Sequence, residues 1–243
     1  MPWVAEGLLG APPIVFVHGA VSSRALWLPQ VSRLRDRFRC VLVDLPGHGS
    51  LADLPFELDA AVEVVRAAID AAGGRALVVG LSLGGYVSMA VAARHPERVR
   101  GLAIAGASLD ATGPARLGFA LYGGLLALLP ERLTRRIVAR LLLRRRPPEE
   151  AARIVAGLEF RHGGAAVRSL GGTSFRRLLL AYGGPILVIN GDLDVAMVIG
   201  ERRFVRGIEG LTRARLRAAH MSNLARPDEF SAAIAAFEAT LPA

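Results

Sequence analysis

Apolar residues in this chain fall into two alternating rhythms. Short, nearly unbroken apolar runs occur at 14–18, 40–44, 76–81, 102–105 and 185–190, and a weaker one at 214–218 is interrupted by Arg215 and Arg217. Continuous rather than every-other-residue hydrophobicity predicts strands covered on both faces, the pattern of a parallel sheet. Between them, 24–38, 55–72, 83–94 and 227–241 carry apolar residues at three-to-four spacing, and His95-Pro96 stops the third of these. That is the helical period. Strand and helix in alternation predict an α/β fold, a mostly parallel sheet with helices on both faces.

The alternation breaks between Ala107 and Gly184. Only helical patterns occupy this stretch, at about 114–129, 131–146, 148–162 and 165–182. The predicted organisation is therefore a core of 1–107 and 184–243, with 108–183 inserted as an all-helical unit over the sheet.

One junction carries a chemical signal. The run 76–81 ends in Gly80-Leu81-Ser82-Leu83-Gly84, followed at once by a helical pattern. Ligands bind at the carboxyl edge of a parallel sheet. A tight strand-to-helix reversal crowds the residues beside the bend, and glycine at 80 and 84 removes the Cβ atoms in the way. The Ser82 hydroxyl is then held out, with a helix N-terminus behind it. This is the G-x-S-x-G elbow in its expected strand–turn–helix context. An ordinary serine N-cap would not need the doubled glycine.

Six stretches, in this order and at these separations, resemble the α/β-hydrolase superfamily: FVHGA (16–20), DLPGHGS (44–50), GLSLGGY (80–86), AARHPERVRGL (92–102), VINGDLD (188–194) and AAHMSNLARPDEF (218–230). The resemblance implies a serine nucleophile at Ser82, an acid after the fifth strand and a histidine base after the last one, in chain order Ser, acid, His. His220 fits the base. Ala219 stands before it where many relatives have glycine. For the acid, Asp194 matches the family pattern beginning at Gly191, Asp192 competes from two residues earlier, and Asp110 is a more remote third. His18 and His48 belong to backbone-shaping HG and GHG motifs. The oxyanion donors implied are the backbone N–H groups of Ala20 and Leu83. With only thirteen residues before the first run, the family's N-terminal hairpin is expected to be shortened, and the insertion falls where such enzymes carry a helical cap.

The reading that follows is a serine hydrolase cleaving an ester-like bond of a small, apolar acyl substrate through an acyl-enzyme. An enol-lactone or C–C bond hydrolase of the same fold is the alternative, and a ligand-binding receptor on a hydrolase scaffold the non-enzymatic one. No cofactor and no metal are expected, since no ligand spacing such as H-E-x-x-H is present. Within the insertion, Leu121, Tyr122 and Leu125, with their neighbours Leu117, Phe119 and Leu128, are candidates to line an acyl pocket.

Charge adds a location rather than a partner. All thirty basic residues are arginine and the formal charge is +9. Residues 110–182 hold thirteen of these arginines and five acids, so nearly all of the excess belongs to the insertion. On 131–146, Leu133, Ile137, Val138, Leu141 and Leu142 form one predicted face, and Arg132, Arg135, Arg136, Arg140 and Arg144 another. A solvated face is the favoured reading, transient contact with an anionic membrane is the less favoured alternative, and no nucleic-acid partner is expected. Cys40 is the single cysteine, which excludes an internal disulfide and suits a reducing compartment. The opening residues lack the features of a signal peptide. The longest apolar run, 117–129, is shorter than the roughly 20 residues a spanning helix needs. A cytoplasmic location is expected.

Overall fold

The structure, a computed structural model, describes residues 1–242. Seven strands, β1 (Trp3–Gly7), β2 (Pro13–Val17), β3 (Arg39–Val43), β4 (Ala76–Leu81), β5 (Val99–Ala105), β6 (Ile186–Gly191) and β7 (Thr212–Leu216), form one sheet in the order β1-β3-β2-β4-β5-β6-β7. All neighbours run parallel except β1, which lies antiparallel to β3. The N-terminal edge therefore carries one short antiparallel strand. The apolar pattern does not reveal it, because an edge strand with Glu6 and half-exposed neighbours has no buried run to show.

The helices are α1 (Leu28–Leu34), α2 (Leu58–Ala71), α3 (Leu83–Arg94), α4 (Ala115–Ala127), α5 (Glu131–Leu143), α6 (Pro148–Ala156), α7 (Gly163–Ser169), α8 (Phe175–Tyr182), α9 (Val195–Phe204), α10 (Ser222–Ala225) and α11 (Pro227–Glu238). Along each central strand, alternate residues join opposite cores. Val15, Val17, Val78 and Ile104 pack with α2, α3 and α8 on one face. Ile14, Phe16, Leu77 and Val79 pack with Val31 and Leu34 of α1 and Phe230 and Ile234 of α11 on the other. Both sets being apolar, the strands read as continuous runs.

Three local departures have physical causes. The helical pattern at 24–38 opens with a 3₁₀ turn at Arg24–Trp27, and α1 begins only at Leu28, where Pro29 presets its first turn. The pattern at 165–182 splits into α7 and α8 around Gly171-Gly172, with Gly172 at φ +105°. Arg213 and Arg215, which weaken the last strand's signal, pair with the buried carboxylate of Glu201 on α9 at 3.2 and 2.9 Å. The helix α9 itself has no counterpart among the predicted elements.

From α4 to α8 the chain is helical without a strand. Its sides are not the expected ones. On α5, Leu142 is buried while Leu133, Ile137 and Leu141 face outward among the arginines. No helix among the described residues is long and apolar enough to cross a membrane.

Candidate active site

After β2 the chain moves outward to β3, then returns to form β4 on the other side of β2. Such a reversal opens a crevice at the carboxyl ends of the two inner strands. The His18-Gly19-Ala20 loop leaves β2 there, and Ser82 leaves β4.

Ser82 alone among the described non-glycine residues has a positive φ, at φ 54° and ψ −118°. A left-handed non-glycine backbone costs roughly 1–3 kcal/mol and persists only where its surroundings fix it. Here they do. The Ser82 amide donates to the Ala105 carbonyl at 2.8 Å, and α3 starts at the next residue. A Cβ on Gly80 would collide with the Gly84 carbonyl and the Ser88 hydroxyl, and one on Gly84 would strike the backbone of Val17 and His18. The glycine fence seen in the sequence is thus the contact by which α3 lies against β2 and β4. An ideal Cβ on Gly19 would sit 3.6 Å from the Ser82 Cβ, so the β2 loop runs directly beside the serine.

His220 follows β7, and its Nδ1 lies 2.7 Å from Asp194 Oδ2. Its Nε2 is buried and makes no hydrogen bond. Gly106, at φ +57°, passes under the ring, where a Cβ would stand 2.9 Å from Cε1. The competing carboxylate is engaged elsewhere. Asp192 Oδ1 accepts from the Ala218 amide at 3.0 Å, and the Leu193 amide donates to the Ala218 carbonyl at 3.0 Å. Asp192 therefore stitches the β6 loop to the segment that presents His220, while Asp194 faces the imidazole. Asp110 is occupied too: its carboxylate accepts from Thr112 Oγ1 at 2.9 Å, Ser174 Oγ at 3.1 Å and the Arg176 amide at 3.1 Å, at the start of α8.

His18 and His48, both fully buried, are bound to the backbone. His18 Nδ1 donates to the Gly19 carbonyl at 2.8 Å, and its Nε2 accepts from the Leu45 amide at 3.1 Å. Burial first, and then the neighbouring His48, lower the His18 pKa to about 3. His48 places its ring nitrogens against the carbonyls of Pro46 and Ala20, and burial lowers its pKa as well. Holding the Ala20 carbonyl fixes the orientation of this loop. The Ala20 and Leu83 amides make no hydrogen bond to another group among the described residues. Both remain available as donors.

A cavity of about 440 Å³ joins these parts, with Ser82, Leu83, Asp194 and His220 on its wall. The rest of the wall is mostly apolar, with Phe119, Val167, Leu170 and Met197. From α4 the cavity takes Ala115, Gly118, Phe119 and Tyr122, one helical face. Leu121 and Leu125 lie on the opposite side, 66% and 60% exposed, as do Leu117 and Leu128. This corrects the pocket expected from α4: Tyr122 lines it, and Leu121 and Leu125 do not. Apart from Arg116 the helix is apolar on every side, so hydrophobicity could not mark its inner face; the small residues at 115 and 118 were the available signal. Tyr86, one turn after Ser82 on α3, is a lining residue that sequence reasoning missed.

A serine on a strained turn, a carboxylate-oriented imidazole with a free Nε2 and two open amides form a set suited to attack on a carbonyl. Known proteins resemble this chain over most of its length. A relative from Nitrosomonas europaea, a pimeloyl-[acyl-carrier protein] methyl ester esterase, is 30% identical over 238 residues, covering 90% of this chain and 92% of its own. A hydrolase from Pseudomonas aeruginosa PA01 superposes with a TM-score of 0.79 at 26% identity, over 97% of this chain and 93% of its own. The enol-lactonase from Burkholderia xenovorans LB400 shares the fold, with a TM-score of 0.77 at 23% identity over 98% and 95% of the two chains. The alpha/beta hydrolase family model matches residues 14–233. The crevice, the elbow and the strand order thus have one common origin: the chain belongs to the alpha/beta hydrolase family and is an enzyme of that fold.

Proposed function

We propose that the protein is a carboxylic ester hydrolase working through Ser82, His220 and Asp194. The observation that carries this reading is the shared cavity: the Asp194–His220 pair, with its unpartnered Nε2, opens onto the same apolar space as the Ser82 elbow.

The Ser82 Oγ attacks the ester carbonyl carbon as its proton passes to His220 Nε2. The carbonyl π electrons move to oxygen, and the Ala20 and Leu83 N–H groups hold that oxyanion. Asp194 keeps Nδ1 as the donor and stabilises the imidazolium. As the carbon–oxygen bond to the alcohol breaks, His220 returns the proton to the departing oxygen. Water then gives a proton to His220 and adds to the acyl carbon. As the tetrahedral carbon collapses, its bond to Ser82 Oγ breaks, Oγ takes the proton back from His220, and the acid leaves. The positive φ at Ser82 is the backbone cost of this exposure, and each oxyanion donor contributes about 2.7–4 kcal/mol in comparable sites.

The mostly apolar cavity walls suit an acyl chain of moderate length, and the α4–α8 helices act as the cap over it. The named activity of the Nitrosomonas europaea relative is methyl ester cleavage, which supports an ester as the first substrate class. The test is labelling with a fluorophosphonate followed by peptide mapping, together with Ser82→Ala assayed on p-nitrophenyl esters. Label on Ser82 and a loss of at least ~10³-fold in turnover are expected. A Ser82→Ala protein that retains turnover would sink the assignment.

A further inference from the structure

The cavity contains a polar group that the acyl-transfer chemistry does not use. Tyr86 lines the cavity and is 4% exposed, and its hydroxyl, fully buried, has no hydrogen-bond partner among the described residues. Its ring is clamped between Phe119 and Phe175, at centroid distances of 5.4 and 4.6 Å. The phenol is therefore fixed in position. A buried hydroxyl left unpaired is destabilising, and phenylalanine would fill the same space without that penalty. Tyr122, the cavity's other phenol, is 45% exposed and meets solvent.

We propose that the Tyr86 hydroxyl is a specificity-determining group that donates a hydrogen bond to a neutral acceptor within the acyl chain, a ketone, ether or hydroxyl oxygen. The proposal rests on the ester-hydrolase reading and names the substrate class of that same cavity. Tyr86 stands one helical turn beyond Ser82, so the acceptor belongs partway along the acyl chain rather than beside the scissile carbonyl.

Two observations set the polarity of the partner. The Leu109 amide leans on the phenolic oxygen without closing a hydrogen bond of normal geometry, which leaves the hydroxyl its own hydrogen to give. Burial first, and then the nearby carboxylates of Asp110 and Asp194, push the Tyr86 pKa up, so the phenol keeps its proton and has two carboxylates for neighbours. No arginine lines the cavity to offset them. A carboxylate-ended chain would be repelled and stripped of water there. A neutral oxygen gains the hydrogen bond without that cost.

The test compares kcat/KM for p-nitrophenyl esters in matched sets: a straight acyl chain, the same chain with a ketone walked one carbon at a time, and the same chain ending in a carboxylate. In the wild type, one ketone position should be favoured over the hydrocarbon by roughly three- to tenfold, and the carboxylate should fall below both. Tyr86→Phe should erase the ketone preference. Inhibition of the wild type by the corresponding free keto and hydrocarbon alcohols provides a readout that needs no variant, and the keto compound should bind more tightly. No favoured ketone position, equal inhibition, or a preference that survives in Tyr86→Phe would overturn the proposal. So would equal losses on both esters, which would mark Tyr86 as structural. Ser82→Ala in the same assay separates the two ideas: if it still turns over, ester hydrolysis at Ser82 is what has failed.

Discussion

The floor and the roof of the cavity are built by different rules. The floor, at the ends of β4, β5, β6 and β7, is shaped by close backbone packing at the Ser82 turn and by side chains such as Asp192 and Asp194 that tie one loop to the next. The roof, from α4 to α8, is held by a few side chains and leaves whole rows of leucine facing outward. The difference teaches where this enzyme can vary. Ser82, Asp194 and His220 sit on the floor, and most of the apolar wall, including Phe119, Tyr122, Val167 and Leu170, comes from the roof.

The strongest way to break this contrast lies in the floor's carboxylates. Asp194→Asn should lower kcat by ~10³–10⁴-fold, whereas Asp192→Asn, which only loosens the loop, should cost far less. A steady-state comparison decides it, and a reversed ranking would exchange their roles. Next comes Gly84→Ala, whose methyl group would press on the Val17 and His18 backbone. About 3 kcal/mol of stability should be lost, read by urea unfolding. In the roof, Phe119→Ala, which removes the ring that clamps Tyr86, should cost about 3 kcal/mol.

A smaller effect is tied to pH. His18 has a folded-state pKa of about 3, against an ordinary 6.5, so the unfolded chain binds the extra proton first as pH falls. Its contribution is complete above 6.5 and is lost downward toward 3. Between pH 7 and 5 the penalty is on the order of 2 kcal/mol, and His18→Asn should flatten that slope in thermal melts. Least of all, Leu121→Ser with Leu125→Ser should change stability by under about 0.5 kcal/mol, since both already face water. A large loss there would mean the roof is tied down through its outer face after all.

The same contrast explains what the sequence could and could not reveal. Strands β2 to β6 were legible because burial on two faces leaves no room for polar residues. β1 and α9 were not, since neither presents an unbroken buried pattern. Ser82, Asp194 and His220 could be named because each follows a strand end in a recognisable motif, and the structure gathers all three on one cavity. The pattern beginning at Gly191 favoured Asp194 over Asp192, and the structure adds what each touches: Asp192 accepts from the Ala218 amide, and Asp194 faces the His220 ring. The pocket face of α4 was hidden by leucines on every side. Tyr86 was overlooked because a tyrosine in a helix beside the elbow looks like ordinary core.

The attachment of the helices to the sheet has an evolutionary corollary. They depart after β5 and return to β6, its immediate neighbour, and the joints are tied by Asp110 to Ser174 and the Arg176 amide, and by Tyr182 to the Val99 carbonyl at 2.9 Å. Between those ties the chain is helical without a strand. A lineage could exchange that stretch for another set of helices and acquire a new diet of esters while inheriting its reactive machinery untouched.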